Sequence, residues 1–167
     1  MAENKKTILV TGGAGFIGSH LVKRLLKDGH NAHLLLKKNT DCSRLRDELK
    51  HLHCYYIDLL DKPRLNDFIR SLKPQGVFHL AASNIASGVT ALDEEVLNTN
   101  VLGFKNLVDS LNSLDYEFLI NAGSFMEYGP KNHPVKEDDL CAPTELYSIS
   151  KLSATLYGQA MARKFNK

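Results

Sequence analysis

Cysteine is scarce in this chain. There are three in 167 residues, Cys42, Cys54 and Cys141, and no two form a Cys-x-x-Cys pair. An odd, widely spaced set gives no disulfide framework and predicts reduced thiols in a cytoplasmic protein. Metal-ligand spacing is missing too. Seven histidines are scattered without a His-Glu-x-x-His. His51, His53 and Cys54 fall close together, but strand alternation points His53 and Cys54 to opposite faces, so no metal is expected. The net charge is only +2, which argues against nucleic acid or a membrane surface as partner. No apolar run is long enough for a signal peptide or a membrane span, and the first six residues are polar. Repeats and low-complexity tracts are absent.

What remains is ordinary globular composition, with 43% hydrophobic and 24% charged residues. A chain of this length suits one domain over 1–167, burying roughly 70% of its unfolded surface. Its organising stretch is Ile8–Leu21. A short apolar run reads as a strand buried on both faces. Glycines follow as Gly12-x-x-Gly15-x-x-Gly18, and an amphipathic run begins at once. Gly12 lets the chain turn off the strand. Gly15, without a Cβ, lets the backbone approach a pyrophosphate. Gly18 lets the new helix pack close to the sheet. The helix N-terminus then offers N–H groups and partial positive charge to the phosphates. Strand, glycines and helix in that order predict a dinucleotide site.

Strands and helices alternate along the rest. Strands are predicted at about Thr7–Val10, Ala32–Leu36, His53–Ile57, Gly76–Leu80 and Phe118–Asn121. Helices are predicted over Phe16–Lys27, Ser43–Leu49, Pro63–Leu72, Asp93–Leu111 and Thr144–Phe165. In the first helix Phe16, Ile17, Leu21, Val22, Leu25 and Leu26 form an apolar face at helical spacing, and Gly29 is a natural cap. Small residues, Ala81–Gly88, make a loop after the fourth strand. The alternation implies an α/β fold: a doubly wound parallel sheet with right-handed crossovers and strand order 3-2-1-4-5.

A second signal is Tyr147 with Lys151. Four residues apart on a helix, they share a face. A nearby ammonium favours the phenolate, so Tyr147 could trade protons with a sugar or alcohol hydroxyl near neutral pH. Taken alone, the pair could be an exposed surface pair. Ser124 follows the fifth strand, at the edge where a doubly wound sheet opens its crevice. Its hydroxyl could hold the substrate oxygen, or it could be an ordinary loop serine.

Together these motifs resemble the N-terminal part of the extended short-chain dehydrogenase/reductases, the nucleotide-sugar epimerase/dehydratase family. The resemblance runs through Thr11–Leu21, Asp58-Leu59, His79–Ala82, Asn100–Gly103, Ser124 four residues before Tyr128-Gly129, and Pro143-x-x-x-Tyr147-x-x-Ser150-Lys151. It implies a Rossmann fold, an NAD(P) cofactor and a nucleotide-sugar substrate. Asp58 would accept from the adenine amino group, with Leu59 beside the ring, unless Asp58 caps the helix before Pro63. Ala81 and Ala82 would line the ribose and phosphates, and Phe16, Ile17 and Leu80 join the cofactor set. Asn100 would support the hydrogen bonds of the active site, and Lys151 would also hold the nicotinamide ribose. Two copies are expected to pair through helices 93–111 and 144–165. The family carries a further C-terminal substrate part, before which this chain stops.

Departures from the pattern narrow the activity. The family's 4,6-dehydratases place Asp-Glu directly after the hydroxyl residue. Here Phe125-Met126 stand there, and neither transfers a proton. Glu127 is displaced by one residue and is expected to point elsewhere. The expected activity is therefore a 4-epimerase or a 4-keto reductase. The alternatives are reduction of a non-sugar carbonyl, or a regulatory domain that binds the dinucleotide without turnover. At the end of the second strand Leu36 takes the place of the acid that would accept from an NAD ribose. Lys37 and Lys38 follow and could attract a 2′-phosphate, which favours NADP over NAD. Asp41 could still fold back to the ribose.

Overall fold

The computed structural model describes residues 5–83 and 93–167. From residue 84 onward, the small-residue loop expected over 81–88 lies outside them. Five parallel strands form one sheet: β1 (Thr7–Thr11), β2 (Asn31–Leu36), β3 (His53–Tyr56), β4 (Gly76–His79) and β5 (Phe118–Asn121). Their order is β3-β2-β1-β4-β5, as expected. β1 is central because it can be buried on both faces. Ile8 and Val10 join Leu34, Leu36 and Val22 in one core layer. Leu9 points the other way and joins Leu35, Leu65, Val77 and Leu107. Strand alternation thus divides one apolar run between two layers.

Helix α1 spans Phe16–Lys27, the range the spacing predicts. Its buried face is Gly18, Ser19, Val22 and Leu25. Phe16 and Ile17, read from the sequence as part of the apolar face, are instead 71% and 68% exposed. They precede Gly18 by two and one residues and so sit about 200° and 100° round the helix from it. The stretch expected as a helix over Ser43–Leu49 forms two 3₁₀ turns, Ser43–Leu45 and Leu49–His51. Helix α2 spans Lys62–Leu72, with Pro63 in its first turn.

The predicted helix Asp93–Leu111 is continuous but not uniform. It runs as α3 (Asp93–Leu97), a π-helical stretch (Asn98–Gly103) and α4 (Phe104–Leu111). Wide turns of this kind are rare and cluster at functional sites. Helix α5 spans Leu146–Phe165. It starts two residues later than predicted because Ser148 closes on Glu145. The Ser148 hydroxyl accepts from the Glu145 N–H (3.1 Å) and donates to its carbonyl (2.7 Å).

Asp109 locks three helices on one side of the sheet. It accepts from Lys105 Nζ at 2.7 Å, from the Tyr157 hydroxyl at 2.7 Å and from Lys62 Nζ at 3.2 Å. Burial and the Asp109 carboxylate together push the Tyr157 pKa up to about 12. All three cysteines are free. Among the described residues no helix is long and apolar enough to cross a membrane, and no cluster of His, Cys, Asp and Glu could hold a metal ion.

Candidate cofactor and active site

A cleft of about 330 Å³ opens at the carboxyl ends of the central strands. Gly12, Gly15, Lys37, Asp58, Leu59, Leu80, Ala81 and Ala82, all expected at the cofactor, form part of its wall. Phe16, Ile17, Gly18, Lys38, Tyr147 and Lys151 were expected there too and are not among its walls. Gly18 acts from behind. A Cβ on it would fall 2.2 Å from the Gly12 carbonyl oxygen. Gly12 itself has φ +69°, and a Cβ there would lie 2.6 Å from the Ala81 nitrogen. At Gly15 a Cβ would meet only the Gly12 oxygen, at 3.2 Å, and otherwise open space. That gap beside the start of α1 is open space that a larger side chain would fill.

Asp58 Oδ1 accepts from the Leu60 N–H at 2.9 Å. The cap of α2 is Asp61, which accepts from the Arg64 N–H at 3.3 Å, so Asp58 does not cap it. At the end of β2 the apolar Leu36 lines the cleft, with Lys37 next to it. Asp41 does not reach the cleft. Its carboxylate accepts from both the Ser43 N–H and the Ser43 hydroxyl, each at 2.8 Å, and Ser43 holds its pKa below the usual carboxylate value.

Of the expected catalytic residues, Ser124 stands apart from the others, and the Tyr147 backbone carbonyl is reached from Asn100 through Ser150. Asn100 is 2% exposed and sits in the π-helical stretch. Its Oδ1 accepts from the Ser83 N–H and its Nδ2 donates to the Ser83 carbonyl, both at 2.8 Å. The same Nδ2 donates to Ser150 Oγ at 2.9 Å, and Ser150 in turn donates to the Tyr147 carbonyl at 2.7 Å. Asn100 thus ties the rim of the cleft at Ser83 to the turn of α5 carrying Tyr147 and Lys151. Lys151 is buried at 4% exposure. Burial pushes its pKa down, and the charge of Glu127 acts in the opposite direction.

Ser124 lies after β5 on the wall of a second, larger cleft of about 730 Å³ between β5 and α5. Glu127, expected to point elsewhere, turns back. Its Oε1 accepts from the Ser124 N–H at 2.7 Å. The signal was present in the sequence, because Ser124-x-x-Glu127 is a capping pattern. Thr11 was legible only as part of the glycine motif. Its hydroxyl accepts from the Ala81 N–H at 3.3 Å and pairs with His79 Nδ1 at 2.8 Å, so it joins the ends of β1 and β4.

Comparison with known proteins assigns the chain to a family. The model of the NAD-dependent epimerase/dehydratase family matches residues 8–167. The UDP-glucose 4-epimerase of Lacticaseibacillus casei is 32% identical over 148 residues, 88% of this chain and 44% of that enzyme. Crystal structures superpose closely. The UDP-glucose 4-epimerase of Thermotoga maritima with UDP-glucose has a TM-score of 0.84 at 26% identity, covering 95% of this chain and 52% of that one. The Bordetella bronchiseptica enzyme WbmG, in complex with NAD and UDP, has a TM-score of 0.81 at 28% identity, covering 92% and 49%. The chain spans about half the length of the relatives it matches.

The buried His79 gives this site a pH signature. Burial, and secondly the Lys151 charge, lower its pKa from 6.5 to about 3. The unfolded chain therefore binds a proton that the folded chain refuses between these values. Stability present above 6.5 is lost as the pH falls towards 3, by up to about 1.4 kcal/mol per pH unit for this one group. Urea unfolding between about pH 7 and about pH 5 should show this decline, with the His79 ring neutral by NMR throughout. A His79 ring that titrates near 6.5 in the folded protein would refute the assignment.

Proposed function

The chain belongs to the NAD-dependent epimerase/dehydratase family, and from that membership we propose that it forms the cofactor-binding and proton-transfer part of a nucleotide-sugar 4-epimerase or 4-keto reductase. The observation that carries the proposal is the Asn100 junction, which links the rim of the dinucleotide cleft and the Tyr147–Lys151 turn in one hydrogen-bonded network. When bound, the dinucleotide would exchange a hydride with the sugar carbon. Gly12 and Gly15 would admit its pyrophosphate, and Asp58 and Leu59 would meet the adenine end. Tyr147 would take and return the proton of the sugar hydroxyl. Ser124 would orient that oxygen, and the Lys151 ammonium would stabilise the phenolate while the proton is away. Phe125 and Met126 cannot move protons, which supports this chemistry over 4,6-dehydration.

Two substitutions separate binding from turnover. Gly15→Val should preserve the fold, because a Cβ there meets only one atom closely, and should abolish dinucleotide binding in calorimetric titration. Tyr147→Phe should bind dinucleotide as before. Its turnover, assayed with the sugar-binding part present, should fall about 10²–10⁴-fold. Unchanged dinucleotide affinity in Gly15→Val would sink the cofactor assignment, and near-normal turnover in Tyr147→Phe the catalytic one.

We further infer a preference for NADP(H). Leu36 offers no carboxylate, Lys37 lines the cleft, and Asp41 is bound to its own turn. The Lys37 charge would favour a 2′-phosphate as a screened point charge. NADPH should bind the wild type more tightly than NADH, and Lys37→Ala should narrow the ratio of dissociation constants. Tighter wild-type binding of NADH rejects the preference.

Pairing of two copies would draw on exposed apolar side chains of the same helices. Leu97, Leu102, Ile149 and Leu156 are exposed on them. Sedimentation equilibrium should return twice the chain mass, and a monomer at high concentration would exclude this pairing.

A further inference from the structure

Among the described residues Glu127 is the only buried carboxylate, at 6% exposure, and Lys151 the only buried ammonium, at 4%. They come from different elements, the 3₁₀ turn Phe125–Tyr128 after β5 and helix α5. Burying a carboxylate is costly unless its oxygens are bonded and its charge is answered. Here Oε1 takes the Ser124 N–H at 2.7 Å, and Ser124 Oγ takes the Met126 N–H at 3.3 Å, closing the turn from both ends. Residue 123 beside it is glycine. A Cβ there would stand 3.0 Å from Glu127 Oε1, a tight contact that a shift of the carboxylate would relieve.

Two titratable groups on neighbouring elements act on Lys151 through space, His79 from β4 and Glu127 from the turn after β5, and Tyr147 stands one turn back on its own helix. His79 is neutral near physiological pH. Among the described residues Glu127 is the opposite charge that acts on Lys151, without a direct ion-pair contact.

We propose that Glu127 is a positioning residue of the proton-transfer site: one buried carboxylate fixes the Ser124 backbone and holds the counter-charge of Lys151. This rests on the reading of Ser124 and Lys151 given above. Glu127 touches neither sugar nor cofactor in this role. It sets a hydroxyl on one element and an ammonium on another, so both move if it is lost.

The test uses the chain itself, with lysines labelled at ¹³Cε and followed by NMR across pH. Glu127→Gln keeps an oxygen for the Ser124 N–H and removes only the charge. The Lys151 signal should then titrate about one pH unit lower than in the wild type, the lower end of what a neighbouring opposite charge is worth. Glu127→Ala removes the acceptor as well, and hydrogen exchange of the Ser124 amide should quicken about tenfold. If Glu127→Ala fails to fold, Glu127→Leu supplies the same readout, because it keeps the bulk and removes the acceptor. Lys151 titrating at the wild-type pH in folded Glu127→Gln overturns the proposal, as does unchanged Ser124 exchange in the variant that lacks the acceptor. Dinucleotide titration of the wild type runs alongside. Its failure overturns the proposed function alone, because the Lys151 shift is read without cofactor.

Discussion

The close approach of bare backbone at the end of β1 is the constraint on which the rest depends. There the turn at Gly12, the first turn of α1 and the end of β4 meet at distances that leave no room for a Cβ at Gly12 or Gly18. If α1 stood further off, Val22 and Leu25 would lose the sheet. If β4 stood further off, Ala81 would leave the Thr11 hydroxyl and the cleft would lose one wall. A steric condition on two glycines therefore sets the cleft geometry before any ligand arrives.

Charge is handled on the same principle. Around Lys151 the fold has removed water, so each remaining charge counts for more than it would at the surface. His79 responds by staying neutral and bonding to Thr11. Burial pushes the Lys151 pKa down, and the Glu127 carboxylate works against that push. The hydroxyls of Ser124, Ser148 and Ser150 meanwhile bind backbone or amide groups and pin the turns on which the charged groups ride.

Much of this was legible in the sequence. The strand order, the span of α1 and the span of β5 followed from apolar period and crossover rules, because those elements bury what the pattern says they bury. The π-helical stretch was not legible. Apolar spacing continues smoothly through Asn98–Gly103, and only the distant partners of Asn100, Ser83 and Ser150, show why the turn widens there. Phe16 and Ile17 misled because a helix start can be apolar without facing the sheet. Glu127 was read against a family position rather than against its own serine three residues earlier. The commitment of Asp41 to Ser43 likewise depends on a local turn that composition does not reveal.

The all-parallel register has a consequence for the order in which this molecule assembles. No strand finds its partner across a hairpin. β1, made before both of its neighbours, takes β2 on one edge, but its other edge waits for β4, and Thr11 meets His79 across 68 residues of chain. Loop closure over such a separation is entropically slow, and contact order of this kind predicts folding well behind that of helical bundles of the same size. Until β4 arrives, one edge of the central strand stands unpaired. The nascent chain is thus most vulnerable to aggregation while the strand that anchors the finished sheet is still waiting for its second neighbour.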